Sequence, residues 1–377
     1  MSTYQGNLGG TFRKPDTVDG VGSDTRLATS GPFLGYLAEE IYERSLFVQS
    51  GVVTNLAVLG GIGKIRTEVP FWGPINPYEE VIQSNSSWGN DAAGSPTSLG
   101  AFTSQKVEDA TQYASIIHRG FQYAADDLTV IGIGSDPLAH LRSQLSQAIS
   151  KLFTKRLTSQ LTGLFDDALS ANSVSKASGA PTATEANYLN VANVTEARYL
   201  LGERGQSLNT LVIHPTVAAY LEQVGQLQFS TAALVDNGAI AWGSGGIGVG
   251  PGRNQVGSAF GMNVIVDSQV PIGGTSGNQT EFDCYMMGPG AIGQADQVAL
   301  QIETARNISS LQDMISIHYH HSYHILGTSW AASGDNPTDA ALATSGNWSL
   351  AYIGPDGHKL IPCVRLTVNS PFGGTVA

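Results

Sequence analysis

The chain has 377 residues, of which 13% are charged, and its formal net charge is −12. This length exceeds what a single hydrophobic core usually serves, so two lobes are expected. The basic residues are few and scattered, which argues against a groove that tracks nucleic-acid phosphates, although an acidic shell can still enclose nucleic acid. So few charges predict a protein that covers much of its surface with partners.

Two cysteines are too few for a disulfide framework. The first twenty residues lack the apolar core of a signal peptide. No apolar run reaches the roughly 18 residues that a membrane-spanning helix needs. We therefore expect a soluble cytosolic product with no membrane association.

The N-terminal segment is predicted to be an arm followed by a helix. Residues 1–30 are Gly-rich and polar without periodicity, and residues 31–49 have helical spacing with Pro32 in the first turn. The glutamates of this helix are expected on a solvated or intersubunit face, not in a catalytic pair. They are Glu39, Glu40 and Glu43.

Residues 51–110 are predicted to form a long two-stranded excursion. The strand-like segments "GKIRTEVPFWGPI" and "AFTSQKVEDATQYASIIHRGFQYA" flank the turn-rich segment "NSSWGNDAAGSPTSLG". The excursion has too few apolar residues for a core of its own, and an isolated hairpin is only marginally stable. We therefore expect it to lie on another surface.

The strongest local signal is an amphipathic helix over 136–168, with Asp136 as N-cap and Pro137 as its first residue. At about 1.5 Å per residue, its 138–168 part would be roughly 46 Å long. An apolar stripe predicts that the helix lies against a sheet. The stripe consists of Leu138, Leu141, Leu145, Ile149, Leu152, Phe153, Leu157, Leu161, Leu164 and Phe165. Four basic residues are predicted to lie off it: Arg142, Lys151, Lys155 and Arg156.

A compact α/β lobe is predicted after the loop 171–185. Its elements are a helix at 195–201, a strand in "NTLVIHP", a helix in "TVAAYLEQVG", and strands in "GMNVIVDSQVP" and "EFDCYMMGPGAIGQA". The lobe also contains a Gly-rich loop, 243–257. Its G-x-G-like spacing does not indicate a dinucleotide site, because no strand runs into it and no helix follows it directly.

Residues 298–326 are predicted to form a hairpin, and residues 336–371 a helix or turn with closing strands. At about 3.3 Å per residue, the second hairpin strand, 313–326, spans roughly 46 Å and can cover the helix stripe end to end. Its residues alternate between an apolar, aromatic face and a polar face. The first face has Ile315, Ile317, Tyr319, His321, Tyr323 and Ile325, and the second has Ser316, His318, His320, Ser322 and His324.

The histidines of this strand allow three interpretations. His318, His320 and His324 could serve a metal-dependent enzyme, but no carboxylate or cysteine within the motif completes a ligand set. They could instead form a titrating, pH-sensitive face. The favoured interpretation is a polar face against water or a neighbour. We therefore predict no catalytic, cofactor-binding or metal-binding residue, and no cofactor.

Other candidate motifs have structural explanations. Adjacent carboxylates at Asp126–Asp127 and Asp166–Asp167 point apart in regular structure, so they are predicted to be turn and cap residues. Cys363 lies in a strand-like run without a nearby base and is predicted to be a buried structural thiol. "LGGIGKI" lacks the first glycine of a phosphate loop and the hydroxyl residue that follows its lysine.

In this order, the elements resemble the major capsid protein of tailed bacteriophages, which has the α+β Hong Kong 97 fold. The resemblance covers nearly the whole chain. It depends on "EEIYERSLFVQSGVV", the long helix, "LVIHPTVAAYL", "GMNVIVDSQVP", "HILGTSW" and "NPTDAALATSGNW". It implies an N-terminal arm and short helix at 1–50 and an extended loop at 51–110. It also implies a peripheral domain at 111–185 with 298–335, and an axial domain at 186–297 with 336–377.

The resemblance implies a structural protein, not an enzyme. Its copies would form hexamers and pentamers of an icosahedral head that encloses double-stranded DNA without sequence-specific binding. The implied partners are further copies of the chain, portal and scaffolding proteins, and decoration proteins. The implied location is the virion, after assembly in the host bacterial cytoplasm. Lys64 and Lys106 are the lysines of the extended loop, and nothing marks a partner for cross-linking to either.

Three alternatives remain at this point. An encapsulin shares the fold but encloses a cargo enzyme. A metal-dependent enzyme would use the 318–324 histidines. An adhesin or tail-tube subunit would form fibres, rings or tubes instead of closed shells.

Overall fold

The computed structural model describes residues 50–60, 66–72, 109–126, 137–180, 182–229, 235–236, 239–240, 256–352 and 356–376. The predicted arm and first helix, the tip of the excursion and most of the Gly-rich loop lie outside the described residues. In the first half of the chain, the strands are β1 (Val53–Asn55), β2 (Arg66–Trp72), β3 (Asp109–Ser115), β4 (Ile117–Asp126) and β5 (Ser173–Ser175). The next strands are β6 (Thr210–Ile213), β7 (Gln228–Phe229), β8 (Val235–Asp236), β9 (Ala239–Ile240), β10 (Val256–Ala259), β11 (Met262–Val266), β12 (Ile272–Gly273) and β13 (Glu281–Met287). The last strands are β14 (Ile292–Asn307), β15 (Gln312–Ile325), β16 (Thr328–Trp330), β17 (Trp348–Leu350) and β18 (Cys363–Asn369). The helices are α1 (Pro137–Phe165), α2 (Val191–Tyr199), α3 (Pro215–Gln223) and α4 (Asp339–Leu342).

The long helix forms as predicted, and it ends three residues earlier, at Phe165. Its 29 residues correspond to about 43 Å. The buried stripe contains Leu145, Ile149, Phe153, Leu157, Leu161, Leu164 and Phe165. Two predictions about the stripe are wrong. Leu152 is partly exposed, and Arg156, predicted to lie off the stripe, is buried because it lies one turn from Phe153 and Gln160 on the inner face.

A four-stranded sheet in the order β1-β14-β15-β4 covers α1. The predicted hairpin is confirmed, but its first strand begins at Ile292, where β1 pairs alongside it in parallel. The apolar face of β15 packs on the helix: the ring of Phe153 lies 5.4 Å from that of Tyr319 and 5.9 Å from that of Tyr323. The helix and the hairpin therefore share one core, as the two matching patterns predict.

The α/β lobe is built on a second sheet, in the order β5-β18-β13-β6-β11-β10-β7, with β12 added to β13. Side chains of α2 and α3 belong to the core on one face. The predicted 195–201 helix begins earlier, at Val191, because the side chain of Asn190 accepts a hydrogen bond from Asn193 N and caps the helix there. On the other face, Phe165 stacks on Tyr285 at 5.7 Å and joins the lobe to α1.

The C-terminal segment contributes to both parts of the protein. The short strands β16 and β17 pair with each other beside α4 and the helix α1. Strand β18 then enters the second sheet between β13 and β5. No helix within the described ranges is both long and apolar enough to cross a membrane.

Candidate functional site: the root of the extended loop

The two strands at the base of the predicted excursion, β2 and β3, pair antiparallel from Arg66 with Ser115 to Trp72 with Asp109. We call residues 66–72 and 109–115 the root. The predicted hairpin is confirmed for the root, and the tip of the excursion, 73–108, lies outside the described residues. The contacts of the root show how this excursion is attached to the rest of the chain.

Polar side chains attach the root to the rest of the subunit. Thr67 and Gln112 are both almost completely buried. Gln112 Oε1 accepts a hydrogen bond from the backbone N–H of Gly327 at 2.9 Å, and Thr67 Oγ1 donates to the carbonyl of Leu59 at 3.2 Å. Buried polar groups are costly unless they are paired, so these bonds fix the root in one position.

Strand β15 lies directly beneath the root. The hydroxyl of Ser322 donates to the carbonyl of Ser115 at 3.0 Å, and Nε2 of His324 lies 3.1 Å from Oε1 of Gln112. Ser322 and His324 are each 1% exposed. The predicted polar face against water or a neighbour is therefore wrong at these two positions, because the subunit's own root covers them. The alternation itself is confirmed from Asp313 to His321.

The three histidines proposed for a metal site have separate partners. Nε2 of His318 lies 2.7 Å from Oε1 of Gln301 on β14. His320 stacks on the ring of His118 across the β15–β4 pair, with centroids 4.0 Å apart. His324 contacts Gln112. Within the described ranges, no group of three or more His, Cys, Asp or Glu side chains could hold a metal ion.

Burial makes protonation of His320 and His324 less favourable. It lowers the pKa of His324 to about 4. It also lowers the pKa of His320, with smaller contributions from His118 and His318. His324 is therefore neutral near pH 7. Since Oε1 of Gln112 can only accept, we assign the His324 proton to Nε2.

A second buried contact, between His321 and Arg156, was not predicted from the sequence. Nη1 of Arg156 donates to Nε2 of His321 at 2.8 Å, and Arg156 Nε lies 3.4 Å from Asp339 Oδ1. Burial, and then the charge of Arg156, holds the pKa of His321 well below its usual range. The signal was available, because Arg156 follows Phe153 by three residues and shares its helix face.

The remaining candidate residues have structural surroundings. Cys363 is buried, as predicted, and burial raises the pKa of its thiol to about 12. Asp166 pairs with Arg365 at 2.7 Å, close to the end of α1. Asp126 is the last residue of β4, so the prediction that it lies in a turn is wrong. The Asp166–Arg365 pair helps to hold the fold, and a thiol with so high a pKa as that of Cys363 is not a nucleophile at neutral pH.

Comparison with known proteins identifies the family to which the chain belongs. Residues 109–343, more than half of the chain, match the model of a family described as phage capsid protein. The chain belongs to the phage capsid protein family. It is also 23% identical over 329 residues to the major capsid protein of Bacillus phage SPP1, across 85% of this chain and 91% of that protein.

Solved capsid structures have the same fold. The capsid of Ralstonia phage GP4 matches with a TM-score of 0.57 at 10% identity, over 87% of this chain and 92% of that chain. The acidic stable capsid of Helicobacter pylori bacteriophage KHP30 matches with a TM-score of 0.50 at 9% identity, over 86% and 91%. The predicted Hong Kong 97 fold is confirmed. The predicted function, a major capsid protein of a tailed phage that forms the head shell, is also confirmed, and the encapsulin alternative is not favoured.

Proposed function

We propose that copies of this chain assemble into hexamers and pentamers that close into an icosahedral head around a double-stranded DNA genome. The main support is the attachment of the root. Buried hydrogen bonds hold β2 and β3 on β15, whereas the excursion beyond them has too few apolar residues for its own core. A loop that is fixed at its base and lacks a core gains stability by lying on a neighbouring subunit.

Exposed apolar side chains support the same proposal. Ile308 and Leu311, at the turn between β14 and β15, are 79% and 52% exposed, and Tyr199 at the end of α2 is 60% exposed. Ile308 and Leu311 lie at the same turn, and neighbouring apolar groups left in water are typical of a surface that a partner covers. In a shell, each copy would cover such groups on the next.

We propose the following division of labour within the subunit. Residues 1–50 form the N-terminal arm and short helix, and residues 51–110 form the extended loop. The peripheral domain comprises 111–185 with 298–335, and the axial domain comprises 186–297 with 336–377. The shared core of α1 and the hairpin supports the assignment of the peripheral domain, and the core on the second sheet supports that of the axial domain.

Partners and location follow from this role. The subunit would meet portal and scaffolding proteins during assembly in the host bacterial cytoplasm, and decoration proteins on the finished head. The formal net charge of −12 argues against binding to DNA phosphates and is compatible with a shell that encloses DNA without sequence-specific binding. The chain would act as a structural protein and not as an enzyme. The separate partners of the three histidines support that view.

Expression of the full chain, with light scattering and negative-stain electron microscopy, tests this proposal. Closed shells, or rings of five and six subunits, are the expected products. A monodisperse monomer at high concentration, with no assembly even in a crowding agent, would contradict it. Fibres or open tubes would instead favour the tail-tube alternative.

A further inference from the structure

Three arginines from three different elements converge on the segment that follows β16 and on the first residue of α4. We call residues 331–339, which end with Asp339 of α4, the connection. Arg66 comes from the root, Arg119 from β4 at the edge of the four-stranded sheet, and Arg156 from α1. The connection therefore contacts the root, the edge of the four-stranded sheet and the long helix.

Two of these arginines hold the connection against the sheet and the helix. Arg119 donates from Nη1 to Oδ1 of Asn336 and from Nη2 to the carbonyl of Pro337. The same Asn336 oxygen accepts the backbone N–H of His118 at 3.0 Å. Arg156 is buried and reaches Asp339. Burial, and then the neighbouring charge of Arg156, lower the pKa of Arg119.

The backbone of the connection has a specific shape that these contacts preserve. Asn336 has φ of 52°, in the left-handed region that asparagine tolerates better than most residues. Nε1 of Trp330 donates to the carbonyl of Gly334 at 3.2 Å. The carbonyls of the connection are thus held at defined positions and directions.

The Arg66 contact differs from the buried Arg156 contact because water reaches it. Arg66 donates from Nη2 to the carbonyls of Ala332 and Gly334 and from Nε to Asp335 Oδ1 at 3.2 Å. The side chains of Arg66 and Asp335 are 28% and 50% exposed. This contact can open without exposing a core, whereas opening the Arg156 contact would disturb buried groups.

We propose that the connection is a rigid segment to which the root is attached, and that Arg66 is a positioning residue. Through its contacts with the connection, Arg66 sets the angle at which the extended loop leaves the subunit. A planar guanidinium that engages two carbonyls and a carboxylate fixes direction as well as distance, which an ammonium group does not. The consequence for shell geometry depends on the proposed assembly function. The contact itself can be tested on the unassembled subunit.

Hydrogen exchange on the unassembled full-length chain tests the contact. Arg66→Ala should accelerate exchange of amides in 66–72 and 109–115 by about tenfold, the effect of losing charge-assisted hydrogen bonds at a partly exposed site. Arg66→Lys should be intermediate, and it also keeps the test valid if the alanine variant does not fold. Arg306→Ala is the matched control, because it removes the Arg306–Asp313 pair on the hairpin. Unchanged exchange in both Arg66 variants, or equal acceleration of the root in the control, would overturn the proposal.

The diameters of assembled particles give a readout that loss of stability alone does not predict. Wild type and Arg306→Ala should give one narrow distribution of diameters. Arg66→Ala should give a broad or shifted one, and Arg66→Lys should not restore the wild-type distribution. A wild-type distribution from Arg66→Ala would contradict the positioning role. If the wild-type chain forms no particles, the assembly function fails, and the exchange experiment still decides whether Arg66 holds the root.

Discussion

Oε1 of Gln112 lies 3.1 Å from Nε2 of His324 and also accepts the backbone N–H of Gly327, although 212 residues separate Gln112 from His324. Both side chains are almost completely buried. One amide oxygen thus satisfies two donors at the contact between the root of the extended loop and the hairpin. The position of the loop depends on a small number of polar groups with no access to water.

Replacing Gln112 should therefore destabilise the subunit strongly. Gln112→Ala leaves two buried donors without an acceptor, which should lower the free energy of unfolding by about 1–3 kcal/mol. Urea denaturation of the unassembled chain measures the change. Gln122→Ala, at an exposed glutamine on β4, is the control and should change little. Equal losses in the two variants would contradict the role assigned to Gln112.

The buried histidines make stability depend on pH in a defined direction. The folded pKa of His324 is about 4, below the 6.5 of an unfolded histidine. Between these values the unfolded chain binds a proton that the folded chain does not. The free energy of unfolding should therefore fall as pH drops from about 6.5 to about 4, with His324 contributing up to about 3 kcal/mol and His321 acting in the same direction.

Urea denaturation at pH 7 and pH 4.5 measures this dependence. His324→Gln keeps a donor for Gln112 but cannot titrate, so it should lose less stability than wild type between the two pH values. His318→Gln, on the less buried part of the strand, should behave like wild type. Identical losses in wild type and His324→Gln would contradict the assignment.

The contacts of Arg156 predict that replacing Arg156 destabilises the subunit more than replacing its partner Asp339 does. Arg156→Met removes a buried cation and leaves His321 without its donor, which should cost about 1–3 kcal/mol. Asp339 is one-third exposed, so Asp339→Asn should cost less than about 1 kcal/mol. Thermal unfolding of both variants tests the order, and a larger loss for Asp339→Asn would refute it.

Gly163 marks a close approach between α1 and the end of α4 with the residues that follow it. A methyl group there would collide with the carbonyl of Leu342 and lie 3.0 Å from Nε1 of Trp348. Gly163→Ala should therefore destabilise by about 1–3 kcal/mol through overpacking, although alanine is the better helix former. Gly179→Ala, where nothing lies within 4 Å, is the control. A stabilised Gly163→Ala variant would show that the two segments can move apart at little cost.

Regular periodicity allowed much of the fold to be predicted. The stripe of α1 and the alternation of β15 each indicate one apolar face, and matching lengths suggested that the two faces meet. The sequence alone did not show what covers the other face of β15. His324 looked solvent-facing because its partner, Gln112, is distant in the chain and has no local pattern that indicates the pairing.

The connection was not predicted at all, for a related reason. Residues 331–339 are irregular, and their role depends on arginines from β2, β4 and α1. Arg156 was placed off the buried stripe because it is charged, yet its helical position puts it inside. Helical geometry predicts the burial of Arg156 better than its residue type does, because a guanidinium can be buried when carboxylate and imidazole partners are available.

A cryo-electron microscopy reconstruction of the assembled particle would show directly how the extended loop is held. We expect the root to remain on β15, with Gln112 within hydrogen-bonding distance of His324, and the loop beyond it to lie on a neighbouring subunit. A loop folded back on its own subunit, or a root separated from β15, would contradict this expectation.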